Sequence, residues 1–274
     1  MILVNGVQGD RIAVQDRGLH YGDGLFETIA VIDGIPCLWR RHMQRLMQGC
    51  RRLALPEPDP GLLKEEAQRV SAGHERAVLK IIVTRGGNGR GYRAGKKAGV
   101  TRIVARYDWP EYPAEFLLRG IRLRVCNTRL GNNPALAGIK HLNRLEQVLA
   151  RSEWHDPRIA EGLMLDQNDY VIEGTQSNLF VVKQGCLLTP ELSRCGIKGV
   201  MREWIQEQGM ALGIECSETD LTLQDVMEAD ELFMCNSLMG IWPVRSIGEA
   251  DFAIGPVTRR LLTVLGNSRG AGHA

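Results

Sequence analysis

The run Trp109-Pro110-Glu111-Tyr112-Pro113 divides the chain. Its prolines fix φ and remove backbone donors, so neither a helix interior nor a central strand can cross it. The break covers 108–119, and a connector at 111–119 separates a smaller N-terminal domain, 1–110, from a larger C-terminal domain, 120–274. Strands mix with helices on both sides, which makes the class α/β or α+β with two domains. At 274 residues and 44% hydrophobic content, the chain can bury the cores this requires.

In the first domain, Met1–Val4 and Arg11–Val14 flank a turn at Asn5-Gly6. Thr28–Ile32 and Ile35–Leu38 flank Asp33-Gly34, a strong hairpin signal. The spacing of Met43, Leu46, Met47, Cys50 and Leu53 predicts a helix over 39–53, with Arg40, Arg41, Arg51 and Arg52 outside. A second amphipathic helix covers 61–70, and strands cover 77–84 and 102–107. Between those strands, Arg85 to Arg93 is too rich in glycine for regular structure.

The second domain opens with a strand at 121–126 and a long helix at 141–154. Short strands follow at 162–165, 170–172, 178–182 and 186–188, then a helix at 200–212 and a strand near Ile214. A short helix at 223–227, a strand at 231–235 and a helix at 257–265 complete it, and the Gly/Ser/Arg tail beyond Leu265 should fray.

Several classes of function are disfavoured. Lys+Arg totals 34 against 32 Asp+Glu, so no global charge favours nucleic acid or a membrane surface. Aromatic content of 5% leaves no stacking platform for bases, which disfavours a nucleic-acid or polyphosphate binder built on the arginines of 39–52 and 85–93. The seven cysteines are scattered without a Cys-x-x-Cys pair, which fits reduced thiols in the cytoplasm and no metal site. The N-terminal segment meets a turn too early for a signal peptide, and no apolar run approaches a membrane span.

Lys140 follows Leu136-Ala137-Gly138-Ile139, all small or apolar. An ammonium held among such neighbours loses hydration, its pKa falls, and the amine becomes a nucleophile or base. Glu173 follows 33 residues later, ahead of polar turn residues and a strand. An amine able to form an imine, with a carboxylate able to keep a ring nitrogen protonated, is the minimum kit for pyridoxal phosphate chemistry. The bland alternatives are a solvated lysine and an ordinary hairpin carboxylate. Lys198 is a rival, since Gly196-Ile197-Lys198 repeats the local motif, but its glycine-flanked setting predicts exposure.

The spaced set Glu173-x-Thr175-x-x-Asn178-Leu179-Phe180, Leu187-x-Thr189 and Ile197-x-Gly199-Val200-x-Arg202 resembles the signature of the fold-type IV pyridoxal phosphate enzymes. That group holds branched-chain and D-amino acid aminotransferases and aminodeoxychorismate lyase. The likeness runs from Asn5-Gly6 through Tyr21–Thr28 to Trp242-Pro243-Val244. The segments 136–149 and 235–239 look like the lyase branch. Glu27, in contrast, stands where aminotransferases often have Phe-Glu, which keeps a D-amino or branched-chain aminotransferase open.

The resemblance implies an N-terminal α/β sandwich and a C-terminal α/β pseudo-barrel, as in D-amino acid aminotransferase. It implies that Lys140 holds the cofactor covalently and shuttles protons, that Thr28 is a catalytic polar group, and that Glu173 pairs with the pyridine nitrogen. Arg45, Val200, Met201 and Ser237 would bind the cofactor phosphate, the opening of the 200–212 helix providing N–H groups and a positive dipole end. Asn236, Arg90 and Tyr21 would meet substrate. Arg45 is one of five arginines on its helix, so a solvated arginine is the bland alternative. The 85–93 loop divides evenly between a plain basic connection and a lid over an anionic substrate. The activity implied is elimination of pyruvate from 4-amino-4-deoxychorismate to give 4-aminobenzoate for folate synthesis, by a homodimer.

Overall fold

A computed structural model describes residues 1–87, 91–95 and 99–270. The chain forms two compact units.

The first unit comprises Met1–Pro110 and Ile139–Asn143. Its elements are β1 (Ile2–Val4), β2 (Val7–Gln8), α1 (Arg17–Tyr21), β3 (Gly24–Ile32), β4 (Ile35–Pro36), α2 (Trp39–Arg52), α3 (Pro60–Ser71), β5 (Arg76–Thr84) and β6 (Thr101–Asp108). The strands form one antiparallel sheet in the order β2-β1-β6-β5-β3-β4. Asn5-Gly6 and Asp33-Gly34 both have positive φ at each residue, the conformation that closes two-residue hairpins. The first turn therefore returns at once, pairing Val4 with Val7. The strand expected at 11–14 is absent from those residues.

Strand alternation gives the sheet two faces. Leu25 lies against Gly49 of α2, and Glu27 bonds to His42 and Arg45 of the same helix. Odd-numbered residues at this end of β3 thus meet α2, whose Met43, Leu46, Met47 and Cys50 are buried. Phe26 and Thr28 point to the opposite face and are half-buried.

The second unit comprises Glu111–Gly138 and 144–270. It holds α4 (Glu115–Arg119), β7 (Ile121–Val125), α5 (Leu145–Arg151), β8 (Ile159–Leu165), β9 (Tyr170–Gly174), β10 (Asn178–Lys183), β11 (Cys186–Pro190) and α6 (Val200–Ala211). Then follow β12 (Cys216–Thr219), β13 (Leu221–Thr222), α7 (Leu223–Met227), β14 (Glu231–Asn236), β15 (Gly240–Ile247), β16 (Ala250–Asp251) and α8 (Pro256–Gly270). The sheet order is β12-β11-β10-β14-β15-β7-β8-β9-β13, with β16 on β15. Strands β9 and β10 stand far apart in that order, yet Gly174 N–H donates to the Ser177 carbonyl at 2.7 Å across the turn joining them. The sheet therefore curls back on itself, which is the pseudo-barrel. Its core gathers Leu123, Leu163, Val171, Leu179, Met234 and Trp242.

Several local expectations differ from this structure. The stretch read as a connector carries α4, and Tyr112 and Phe116 pack edge-on against Trp242 at 4.7 and 4.9 Å. Proline only prevents a helix from passing through it; α4 starts after Pro113. Strand β15 escaped the sequence reading because Pro243 sits inside it, beside the register shift at Val244/Ser246. The helix expected at 141–154 is only Leu145–Arg151. Phe26 N–H donates to the Lys140 carbonyl and Leu142 N–H to the Gly24 carbonyl, both at 3.0 Å. Residues 140–142 thus extend the β3 edge, and their backbone groups are unavailable for a helix. At the other end, α8 continues through Gly270, past the point where fraying was expected.

Candidate active site

The residues singled out in the sequence fall into two groups, one in each unit. In the first unit, pairing of 140–142 with β3 brings Lys140 to the face of Phe26. The Lys140 Nζ lies 4.4 Å from that ring centroid. The Lys80 Nζ, on β5, lies 5.5 Å from the same centroid. Thr28 stands directly opposite Lys80 in the strand register. Two ammonium groups, a hydroxyl and an aromatic ring therefore share one half-buried sheet face, which draws anions. Lys80 and Phe26 were missed in the sequence because period-2 alternation inside an apolar strand does not say which face stays open.

Glu27 faces the other way. It is buried, and its Oε1 accepts from Arg45 Nε at 2.9 Å, while its Oε2 meets a second Arg45 nitrogen at 2.5 Å and His42 Nδ1 at 2.7 Å. Burial raises the Glu27 pKa, but the Arg45 charge and the hydrogen bonds from His42 and Arg45 outweigh it, leaving about 2. Burial pushes the His42 pKa below its usual value despite the Glu27 partner. Glu27 is thus an ionised strut holding Arg45 and does not reach the Lys140 side of the sheet. As an aminotransferase marker it loses its weight. Tyr21, at the end of α1, is half-buried with its ring 5.5 Å from that of Tyr92. Arg90 lies outside the described residues.

In the second unit, Glu173 sits on β9 and is buried. Its Oε2 accepts from Ile197 N–H at 2.8 Å, and Asn178 Nδ2 donates to the Ile197 carbonyl at 2.9 Å. The two signature residues thus grip one residue's backbone from both sides. Gly138 N–H donates to the Gly196 carbonyl at 2.8 Å, and Lys198 N–H to the Gly138 carbonyl at 3.1 Å, so the segment preceding Lys140 is tied to the same loop. Gly196 has φ +81, and a Cβ there would meet Ile172 and Leu192 side chains at 2.7 and 2.8 Å. Lys198 is 55% exposed with its Nζ 4.0 Å from Glu218, which sets it apart from Lys140.

Gly199 is the N-cap of α6, and no side chain caps that end. A Cβ at Gly199 would fall 2.0 Å from Asn178 Oδ1, so this backbone turn admits glycine alone. Val200 and Met201, buried in the first turn, present backbone N–H groups at a helix opening of the kind that holds phosphates. Arg202 points inward instead, donating to Thr189 Oγ1 at 3.2 Å, the Pro190 carbonyl at 3.0 Å and Glu218 Oε1 at 3.0 Å. Part of the signature is therefore scaffold.

Glu161 was not read from the sequence. It is buried on β8 and accepts from the hydroxyls of Thr175 and Ser177 at 2.5 and 2.7 Å and from Thr175 N–H at 3.1 Å. It shapes the turn that follows Glu173. Nothing local marks it, since its partners lie 14 to 16 residues away. Asn236 is more committed than expected. Its Oδ1 accepts from Leu238 and Met239 N–H, both at 2.9 Å, and its Nδ2 donates to the Gln176 carbonyl at 3.1 Å. Ser237 is half-buried in the same turn. Among the described residues, no helix is long and apolar enough to cross a membrane, and no cluster of side chains is suited to hold a metal.

A buried carboxylate beside an uncapped helix opening fits a cofactor with a basic ring nitrogen and a phosphate. The half-buried lysine fits its aldehyde. The chain belongs to the class IV aminotransferase family, whose model matches residues 24–247. Pyridoxal phosphate is the cofactor of these enzymes.

Among its relatives, an aminodeoxychorismate lyase of Vibrio harveyi is 38% identical over 95% of this chain and 98% of its own length. The crystal structure of 4-amino-4-deoxychorismate lyase from Pseudomonas aeruginosa superposes with a TM-score of 0.95 at 46% identity. It covers 97% of this chain and 98% of that one. A branched-chain-amino-acid aminotransferase of Escherichia coli K12 is more distant, 31% identical over 92% of this chain and 85% of its own.

Proposed function

We propose that this chain is a pyridoxal phosphate lyase that converts 4-amino-4-deoxychorismate to 4-aminobenzoate and pyruvate, a step supplying folate synthesis in the cytoplasm. The observation that carries the reading is end-to-end likeness to two such lyases, at 46% and 38% identity, against 31% for the aminotransferase. Seven free cysteines suit a reducing compartment.

The cofactor, when bound, supplies an aldehyde that a primary amine can join and a ring that accepts an electron pair. Lys140 anchors it until the substrate amine takes that place. The Lys140 Nζ then removes the proton from the substrate carbon bearing nitrogen, and the carbon–oxygen bond next to it breaks. Enolpyruvate departs, and the Lys140 ammonium returns the proton to its methylene carbon, giving pyruvate. The six-membered ring left behind is aromatic, which drives the step. Glu173 holds a proton on the cofactor's ring nitrogen. The N–H groups of Val200 and Met201, the Ser237 hydroxyl and Arg45, steadied by Glu27, bind its phosphate. Thr28, Tyr21, Asn236 and Arg90 meet the substrate.

Freshly made 4-amino-4-deoxychorismate, offered without any keto acid, should yield fluorescent 4-aminobenzoate. No product there, together with amino-acid loss that depends on added 2-oxoglutarate, would reassign the chain as an aminotransferase.

The protein acts as a homodimer. On α5, Leu145, Val148 and Leu149 are 77%, 56% and 61% exposed and share one helix face. Sedimentation should give twice the 30.5 kDa chain mass, and Leu145→Asp with Leu149→Asp should shift it to monomer. A wild-type monomer at micromolar concentration would refute the dimer.

A further inference from the structure

Arg17 is buried, yet its guanidinium serves the glycine-rich loop and little else. Its Nε donates to Asp23 Oδ2 at 2.8 Å, one terminal nitrogen to the Gly91 carbonyl at 2.7 Å, and the other to the Tyr92 carbonyl at 3.0 Å. The same guanidinium lies 4.8 Å from the Tyr21 ring centroid. Asp23 is in turn fixed by Arg85, whose Nε donates to Oδ2 at 2.8 Å and whose other nitrogens reach the Leu53 and Ala54 carbonyls at 2.7 Å. Burial raises the Asp23 pKa, but hydrogen bonds and charge from Arg85 and Arg17 bring it below the ordinary carboxylate value.

The outcome of this anchoring is an unusual surface. Tyr92 is 89% exposed, and its ring leans on Tyr21. A loop free to move would let such a ring fold back onto apolar surface. Here two backbone carbonyls are pinned by a buried, forked cation, so the ring stays in water at a fixed place. Burying an arginine costs desolvation, and a fold needing only a chain reversal has cheaper ways to make one.

We propose that Arg17 is a positioning residue that sets the Tyr21–Tyr92 pair as an aromatic wall for the ring of the substrate. The inference rests on the lyase reading for the identity of that substrate. Arg85 belongs to the anchor, so this end of the glycine-rich loop is structural.

The test is a double-mutant cycle on the cofactor-loaded enzyme. Tyr92→Ala removes a side chain that supports no core, and should raise KM for the substrate roughly 3–10-fold, the scale of one aromatic contact, with kcat little changed. Arg17→Met should raise KM to a similar extent. The double variant should be no worse than the more impaired single, because Arg17 acts through Tyr92. An unchanged KM in Tyr92→Ala, or strictly additive effects, would overturn the proposal. If Arg17→Met does not fold, Arg17→Lys, which keeps the charge but loses the fork, takes its place. Wild-type protein that releases no 4-aminobenzoate would fail the lyase reading by itself. The cycle would then be scored on transamination, where the same coupling decides the inference.

Discussion

Lys140→Ala protein forms no measurable 4-aminobenzoate. Loss of a positioned proton carrier alone lowers rates roughly 10²–10⁴-fold, and the same amine is also the covalent anchor of the cofactor. The two losses compound. Folding should survive, because the Lys140 carbonyl, not its side chain, makes the bond with Phe26 N–H. The ammonium–ring contact contributes only about 0.5–1 kcal/mol, so the thermal midpoint should move little. The product assay is paired with borohydride reduction of wild-type protein and mass-spectrometric mapping, which should place the tag on Lys140. A tag on Lys198, or appreciable turnover by the alanine variant without added amine, would end the mechanism given above.

Glu173→Gln should retain structure and lose chemistry. An amide oxygen can still accept from Ile197 N–H, so the loop leading to Gly199 keeps its tether. What disappears is the negative charge that holds a proton on the ring nitrogen, and with it the ring's capacity to take electrons. A fall in kcat of roughly 10²–10³-fold is expected, the scale seen when one preorganised electrostatic partner is removed. KM should change far less. Stopped-flow and steady-state rates with the cofactor fully loaded check this, alongside the far-ultraviolet spectrum. If kcat stays within a few-fold of wild type, Glu173 is only the clamp on Ile197 and the catalytic assignment is withdrawn.

Glu173 and Asn178 illustrate how a motif becomes legible. They are five residues apart in the sequence, and in the structure both bind the backbone of Ile197. Gly199 must be glycine for a related reason, since Asn178 occupies the space where its Cβ would stand. These constraints leave a spaced signature that can be read without coordinates. Thr189 and Arg202, in the same signature, bond to each other and to scaffold carbonyls instead. Spacing therefore marks the neighbourhood of a cofactor group without saying which members face it.

The sequence by itself determined what adjacent residues enforce. Asp33-Gly34 accepts positive φ cheaply and closes a hairpin. The apolar stripe of 43–50 makes a helix with one buried face. Tertiary structure alone decided the rest. Residues 140–142 carry a helix-like pattern, but pairing with β3, more than a hundred positions earlier, takes their backbone groups first. That same pairing puts Phe26 under Lys140 and, by strand alternation, turns Glu27 toward Arg45 on the opposite side. A local pattern cannot specify which distant edge completes its hydrogen bonds, and here that edge decides which side chains face the chemistry.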